Sequence, residues 1–299
     1  MKRKDVLLAL LIICIWGVNF VVIKYGLEEL PPLLMGALRF SLVAFPAALF
    51  VPRPDIPWKW LLAYGLTISF GQFALLFSAM YVGMPAGLAS LVLQVQALFT
   101  VIFAFIFLGE RWKPEQLAAF LLAGCGLYIL ALNKASSGMT IFGFLLTVAA
   151  GASWALGNIV NRKITQLRQI NLVGLIIWGA MIPPIPFLIM SYWIEGPELI
   201  MTSLAGITLQ SIAALIYLAF AATLLGYGLW ASLLSRYSAG TVAPFTLLVP
   251  VIGVMTAWLV LGESLSSLQI AGIGLVMLGL LVNSFGGRYL LMLYRPLKR

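Results

Sequence analysis

Long apolar runs alternate along this chain with short breaks that contain prolines, glycines or charges. The breaks near residues 28–32, 52–55, 110–114, 133–138 and 195–198 have the composition of turns. The runs between them approach the roughly 20 residues that an apolar helix needs to cross a bilayer. The pattern predicts ten spanning helices, at residues 5–25, 32–51, 58–82, 86–108, 114–132, 140–160, 171–193, 209–234, 240–261 and 268–286.

The second half of the chain repeats features of the first. At a shift of 153 positions Tyr64 matches Tyr217, Ala86–Gly87 matches Ala239–Gly240 and Gly109–Glu110 matches Gly262–Glu263, and at a shift of 139 Asn19 matches Asn158 and Lys24 matches Lys163. Two further breaks, near Gly83 and Ala239, carry little charge. The repeat supports both of them, because each half then has five helices in the same order. We expect one five-helix repeat at residues 1–135, a second at 136–286 and a basic tail at 287–299.

Composition supports a membrane protein. Hydrophobic residues make up 63% of the chain and charged residues only 9%, whereas about a quarter of a soluble domain is charged. The first apolar run is long enough to span, so it is not read as a cleaved signal peptide. Cys14 and Cys125 lie in separate apolar runs and are expected to be small buried hydrophobic residues rather than a disulfide or metal ligands.

The basic residues predict the orientation of the chain. With the N-terminus inside, the inner segments hold fifteen of the 18 lysines and arginines: Lys2, Arg3, Lys4, Arg53, Lys59, Arg111, Lys113, Arg162, Lys163, Arg168, Arg236, Arg288, Arg295, Lys298 and Arg299. Cytoplasmic loops carry such an excess, so both termini are predicted to be cytoplasmic. Because each half has an odd number of helices, the two repeats are expected to be inverted relative to each other, as in many secondary transporters.

Two aromatic–asparagine pairs are candidates for substrate contact. Trp16 and Asn19 lie three residues apart in the first helix, and Trp154 and Asn158 lie four apart in the sixth, so each pair shares a helix face. Asparagine offers both a donor and an acceptor, which suits a carboxylate or an ammonium group. The alternative is that both asparagines only make hydrogen bonds between helices.

Other polar and aromatic side chains in the predicted helices also avoid lipid and are candidates to line a cavity. They are Tyr64, Ser69 and Gln72 in the third helix, Gln94 with Ser90 in the fourth, and Tyr217 and Tyr227 in the eighth. Gln96 is expected about 200° away from Gln94 around the helix, at about 100° per residue, and to make a packing hydrogen bond.

Three residues are predicted to gate the pathway or to mark its outer mouth. Arg39 is a strong cation about two turns into the second helix, where it would attract an anion or extend to the interface and fix the depth of the helix. Pro244 and Pro250 interrupt the ninth helix and free backbone carbonyls, although a static kink is an equal alternative.

The fifth and tenth helices each present a narrow face of small residues. Ala119, Ala123 and Gly126 form this face in the fifth helix, and Gly272 and Gly279 are among their equivalents in the tenth. Small residues allow helices to approach closely in lipid. We expect these helices to brace each half or to form a homodimer contact, and not to line the pathway.

Several kinds of chemistry are not supported by the sequence. It contains no histidine, which excludes Ser-His triads and His-based metalloprotease motifs, and no phosphate-binding loop. No acidic residue falls in the middle of a predicted span, so a buried proton-carrying carboxylate is not expected. The sequence predicts neither an enzyme nor a cofactor or metal site, and nucleic-acid binding is not expected from the basic tail.

Several segments carry a resemblance to a known family. They are Trp16-Gly17-Val18-Asn19-Phe20, Leu38-Arg39-Phe40, Leu108-Gly109-Glu110-Arg111 and Leu261-Gly262-Glu263. Over residues 5–285 the chain resembles the ten-helix drug/metabolite transporters of the EamA type. Tyr64–Phe70, Gly83–Gln94 and Leu247–Pro250 are similar to exporters of cysteine and O-acetylserine within that family. The resemblance implies an inner-membrane exporter with a cavity lined by helices 1, 3, 4, 6, 8 and 9.

The combined prediction is a multi-pass transporter of the bacterial inner membrane that exports small amino-acid metabolites by alternating access. Its expected partners are a small-molecule substrate and the lipid bilayer. An exporter of aromatic amino acids or drug-like compounds is the alternative within the same class. A membrane scaffold or receptor that transports nothing is the alternative from another class, but it would not need an inverted repeat.

Overall fold

A computed structural model describes residues 1–133, 138–167 and 170–293 of the chain, and these residues form an all-helical fold. The apolar helices are α1 (Arg3–Gly26), α2 (Pro32–Ala48), α3 (Trp58–Tyr81), α4 (Ala86–Leu108), α5 (Pro114–Leu132), α6 (Ile141–Leu167), α7 (Leu172–Glu195), α8 (Leu209–Arg236), α9 (Ala243–Leu261) and α10 (Ser267–Leu293). Within the described residues, nine of these helices are long and apolar enough to cross a membrane. The exception is α2, which has 17 residues.

Some predicted features lie outside the described residues. They are the boundary between the repeats at residue 135, the cations Lys134 and Arg168, and residues 294–299 of the basic tail. The structure also contains a short helix that the apolar pattern did not predict, at Pro197–Ala205 between α7 and α8.

Prolines and glycines set several helix boundaries. Pro32 and Pro114 each begin a helix, where the missing N–H group costs nothing. α4 and α9 both end at a glycine in the left-handed conformation, Gly109 with φ 68° and Gly262 with φ 67°. These two caps occupy matched repeat positions.

Irregular backbone also occurs at matched positions in the two halves. α3 contains a π-helical stretch at Gly65–Gly71, and α8 contains one at Tyr217–Leu225. α4 contains a 3-10 turn at Leu93–Val95, and α9 begins with a 3-10 stretch at Ala243–Leu248. π-Helical segments are rare and are frequent at functional sites. The paired π-helical stretches therefore mark the interior of α3 and α8 as a candidate functional region.

Contacts between helix termini define two ends of the bundle. We call the end at which α1 begins the amino-terminal end and the opposite one the far end. At the amino-terminal end, Arg236 Nη1 donates to Asp5 Oδ1 over 2.6 Å. At the far end, Glu29 accepts hydrogen bonds from Ser211 and Thr208, and these hold the pKa of its carboxyl group below the ordinary value. α1 and α8 are therefore antiparallel neighbours.

The interior is most tightly packed toward the far end. Leu34, Met35, Met80, Met84 and Leu88 are all 1% exposed or less. These side chains come from α2, from α3, from the turn after it and from α4, and they belong to one continuous apolar core. The far end is consequently closed by apolar packing.

α5 and α10 pack against each other along their small-residue faces. A Cβ atom on Gly126 would lie 2.6 Å from the Gly272 carbonyl oxygen, and Ala119 and Ala123 are fully buried. This contact joins the two halves of one chain rather than bracing each half separately. A homodimer through α5 and α10 remains a proposal and would use their other faces.

The outer surface of the bundle is largely apolar, and it includes both cysteines. Cys14 and Cys125 are exposed, which corrects the expectation that they are buried. The cause is the helix phase, which places both residues on the outer surface of the bundle. In lipid such a surface is not disfavoured, because the acyl chains are as apolar as the side chains.

Candidate functional site

A cavity of about 300 Å³ lies in the middle of the bundle. Its lining comes from α1, α2, α3, α4, α6, α7, α8 and α9, and none of the described lining residues comes from α5 or α10. Leu172 at the start of α7, Leu234 near the end of α8 and Thr246 near the start of α9 extend the cavity toward the amino-terminal end. The cavity therefore approaches one end of the bundle while apolar packing closes the other.

Most of the predicted site residues meet in this cavity. Its lining includes Trp16, Asn19, Tyr64, Gln72, Gln94, Trp154, Asn158 and Tyr227. Ser69 lies in a smaller adjoining cavity. Tyr217 lies apart from both described cavities, and its hydroxyl donates to the Ile15 carbonyl oxygen over 2.7 Å.

The two repeat-related asparagines have different surroundings. Asn158 Nδ2 donates to Gln96 Oε1 over 2.9 Å and to Thr100 Oγ1 over 3.1 Å, which connects α6 to α4. Asn19 is 8% exposed, and its Oδ1 atom has no hydrogen-bond partner among the described residues. Of these two asparagines, Asn19 is therefore the one whose buried acceptor has no partner among the described residues.

Polar side chains of α4 connect it to α9. Gln94 Nε2 donates to the Thr246 carbonyl oxygen over 3.3 Å, within the 3-10 stretch of α9. Ser90 Oγ donates to the Gly87 carbonyl oxygen over 2.7 Å and lies 3.5 Å from that of Pro250. Pro250 also lines a lateral pocket between α4, α9 and α10, whereas Pro244 lines none of the described cavities. Their gating roles remain predictions.

Aromatic rings form the wall between α1 and α8. The Trp16 ring lies 5.3 Å from both Tyr227 and Trp230, measured between centroids. Trp16 Nε1 also donates to the Ala222 carbonyl oxygen over 3.0 Å, so its only polar atom is paired. This part of the cavity offers mainly flat aromatic surface, to which Tyr227 adds one hydroxyl group.

Arg39 lies in the cavity wall and not at an outer mouth. It is 2% exposed and its Nη2 atom donates to Thr223 Oγ1 over 3.0 Å. The centre of its guanidinium group lies 4.1 Å from the Phe73 ring centroid. The expectation that Arg39 extends to the interface is thus corrected, because α2 faces the bundle centre at this depth and aromatic rings surround the side chain.

Gln96, Asn161 and Trp230 also line the cavity but were not among the predicted site residues. Asn161 follows Asn158 by one helical turn, a signal that the sequence did contain. Gln96 makes the packing hydrogen bond that we expected, but it also reaches the cavity. The 3-10 turn before it advances about 120° per residue, which brings Gln94 and Gln96 about 40° closer than a regular helix would.

Within the described part of the chain, the site has no cluster suited to a metal. Across residues 1–133, 138–167 and 170–293, no three His, Cys, Asp or Glu side chains lie close enough to hold an ion. The described cavity offers amide, hydroxyl and aromatic groups with one guanidinium group. Such groups can bind and orient a polar small molecule.

Comparisons with known proteins agree with this architecture. The sequence matches the EamA-like transporter family over residues 3–132 and 141–285. The chain belongs to the EamA-like transporter family. A protein of Salmonella typhimurium named "Probable amino-acid metabolite efflux pump" is 52% identical over 96% of this chain and 97% of its own length. A protein of the same name from Escherichia coli is 50% identical over 97% of both chains.

A more distant likeness concerns the fold of this EamA-like transporter. A protein of known crystal structure has a TM-score of 0.64 at 19% identity, and the match covers 97% of this chain and 99% of that chain. The membership and the apolar helices together make the chain a multi-pass membrane transporter and not an enzyme.

Proposed function

We propose that this transporter exports small amino-acid metabolites across the bacterial inner membrane by alternating access. The observation that carries the proposal is the cavity between the two halves, which combines apolar walls with several polar side chains, extends toward one end of the bundle and is closed at the other. Relatives that are 52% and 50% identical are named as probable amino-acid metabolite efflux pumps. A cavity of about 300 Å³ is at the small end of ligand pockets and accommodates an amino acid.

The proposal includes ten spans, two inverted repeats and cytoplasmic termini. It is supported by the two matched family segments, residues 3–132 and 141–285. The paired π-helical stretches and the paired glycine caps lie at equivalent positions in the two halves. The excess of Lys and Arg on one predicted side supports the orientation.

Two glutamates at matched positions of the repeat support alternation between two states. At the far end, Glu263 accepts hydrogen bonds from the backbone N–H groups of Ala86, over 2.7 Å, and Gly87, over 2.9 Å, at the start of α4. We call this contact the far-end latch. Its repeat partner Glu110 forms an ion pair with Arg162 in the described conformation. The far-end latch is thus the contact that the described residues show closing the far end.

The symmetry of the repeat assigns Glu110 a second partner in the opposite state. The equivalents of Ala86 and Gly87 are Ala239 and Gly240, just before α9. When the amino-terminal end closes, Glu110 would cap that turn and the far-end latch would release. With cytoplasmic termini, the described conformation is inward-open.

The test is transport by the purified protein in liposomes. Liposomes that contain the protein are loaded with labelled cysteine, O-acetylserine or phenylalanine. Saturable release is compared with that from loaded liposomes that lack the protein. We expect saturable flux of cysteine or O-acetylserine. Flux of phenylalanine alone would favour the aromatic alternative, which the rings of Trp16, Trp154 and Trp230 in the cavity also suit. No saturable flux of any of the three would refute amino-acid export.

A further inference from the structure

One charged side chain faces the described cavity, and it belongs to Arg39. The guanidinium group stays protonated at any physiological pH. Its Nη2 atom donates to Thr223, but Nε and Nη1 are buried and have no hydrogen-bond partner among the described residues. Phe73 and Phe40 lie against the cation at 4.1 and 5.3 Å, yet ring faces do not accept the in-plane N–H groups.

The described residues show no counter-ion for Arg39. All nine acidic residues lie at helix ends or in connections: Asp5, Glu28, Glu29, Asp55, Glu110, Glu115, Glu195, Glu198 and Glu263. None of them is among the described lining residues. A buried charge without a partner is strongly unfavourable, so the site favours an anion that enters through the cavity.

Buried acceptors complement this donor. Asn19 Oδ1, Gln72 Oε1 and Asn161 Oδ1 have no hydrogen-bond partner among the described residues, and all three side chains line the same cavity as Arg39. Asn161 is only partly buried as a residue, so Asn19 and Gln72 are the two buried amides. Asn19 is 8% exposed and Gln72 is 3% exposed. Gln72 directly precedes Phe73, whose ring contacts the guanidinium group. Unpaired amide oxygens accept hydrogen bonds from an ammonium group.

We propose that the cavity is a zwitterion site in which Arg39 binds the carboxylate of the substrate and the oxygens of Asn19 and Gln72 accept from its ammonium group. This inference rests on the proposed export function and narrows it. The site discriminates against amines that lack a carboxylate and against acids that lack an amine. The rings of Trp16 and Tyr227 contact the remainder of the substrate.

The test uses three probes that differ by one group each. Cysteine, cysteamine, which lacks the carboxylate, and 3-mercaptopropionate, which lacks the amine, are titrated under a thiol reductant. Binding to the detergent-purified protein is read from tryptophan fluorescence, since Trp16, Trp154 and Trp230 line the cavity. We expect the wild-type protein to bind cysteine at least tenfold more tightly than either analogue.

Variants then test which side chains bind the carboxylate and which bind the ammonium group of the substrate. Arg39→Gln should weaken the binding of cysteine at least tenfold and leave the binding of cysteamine unchanged. Arg39→Lys should retain part of the preference for cysteine over cysteamine, because it keeps a positive charge. Gln72→Leu together with Asn19→Ala should instead remove the preference for cysteine over 3-mercaptopropionate. Size-exclusion profiles check that each variant is folded, and the wild-type comparison remains decisive if one is not.

The outcomes separate this inference from the proposed function. A wild-type protein that releases cysteine from liposomes but binds cysteine and cysteamine equally would overturn the zwitterion site and leave export intact. If Arg39→Gln weakened the binding of cysteine and of cysteamine by the same factor, the role of Arg39 would be structural. No binding of any probe, together with no saturable flux of cysteine, O-acetylserine or phenylalanine, would remove both proposals.

Discussion

At the scale of single residues, the repeat does not produce identical roles. Asn158 is held by Gln96 and Thr100, whereas Asn19 keeps an unpaired buried oxygen in the described cavity. Losing a partner from a buried polar group costs about 1–3 kcal/mol, while removing an unpaired group need not cost stability. We therefore expect substrate contact at Asn19 and helix connection at Asn158.

Asn19→Ala and Asn158→Ala should consequently separate function from stability. Asn19→Ala should lower flux severalfold with an unchanged unfolding temperature. Asn158→Ala should destabilise the protein by about 1–3 kcal/mol, because Gln96 and Thr100 lose their donor. Thermal unfolding in detergent and flux in liposomes measure the two effects. Equal losses of folded protein and of flux for both variants would contradict the assignment.

Glu29 makes the far-end contact between α1 and α8 sensitive to acid. Hydrogen bonds from Ser211 and Thr208 lower the pKa of its carboxyl group from the ordinary value of 4.5. A depressed folded-state pKa gives stability that is complete above the unfolded-state pKa and is lost as the pH falls through the folded-state pKa. The difference in unfolding temperature between wild type and Glu29→Gln should be constant from pH 7 to about 5 and shrink below about 4.5.

The matched control is Glu198→Gln, in the short helix Pro197–Ala205, which should behave like wild type across the series. If the difference in unfolding temperature between wild type and Glu29→Gln grew as the pH fell, it would contradict the sign of the pKa shift at Glu29.

At the scale of elements, α5 and α10 form a brace that the cavity does not use. Gly126 lies against the backbone of Gly272 and Val276, so any side chain there separates the two helices. Gly124 lies on the same helix, and a Cβ added to it meets nothing within 4 Å among the described residues. Replacing each glycine by alanine therefore separates two effects. At Gly126 the added methyl group disturbs the contact between α5 and α10, and at Gly124 it changes only the helix propensity.

Gly126→Ala should destabilise the protein by about 1–3 kcal/mol through overpacking. Gly124→Ala should leave stability unchanged or raise it by up to about 1 kcal/mol, since alanine favours the helix. Unfolding temperatures in detergent measure both. Cysteine affinity should stay the same in each variant, because neither helix lines the described cavity. A change of affinity in Gly126→Ala alone would show that the brace shapes the site.

At the scale of the whole molecule, function depends on which end of the bundle is closed. The far-end latch joins Glu263, two residues after the end of α9, to the start of α4 through a carboxylate and two N–H groups. Hydrogen bonds to a charged group contribute about 1.5–3 kcal/mol each, enough to shift a two-state equilibrium about tenfold or more. We expect Glu263 and Glu110 to bias this equilibrium in opposite directions.

Glu263→Gln should increase opening at the far end, and Glu110→Gln should decrease it. The reporter is Ser90→Cys, placed between the cavity and the far-end latch, in a background with Cys14 and Cys125 replaced by Ala. The measurement is its rate of labelling by an impermeant maleimide added from the far side. Rates that changed in the same direction in both variants would contradict reciprocal latches.

The sequence alone determined the class of the molecule and many of the residues in the wall of its cavity. Apolar runs separated by charged breaks predicted helices close to the observed ones, because lipid demands long apolar helices whatever their neighbours. Asn19, Gln72 and Gln94 could be placed in the cavity wall because polar side chains avoid lipid. These inferences need only local composition and spacing.

Only the tertiary structure decided which polar atoms are paired. The orientation of Arg39 depends on α2 facing Phe73 and Thr223, residues far away in the sequence. Gln96 reaches the cavity because a 3-10 turn changes the helix phase, and the cysteines face outward for reasons of packing. Pairing, phase and burial are set by contacts between distant segments, and a one-dimensional pattern of apolar and polar positions does not contain them.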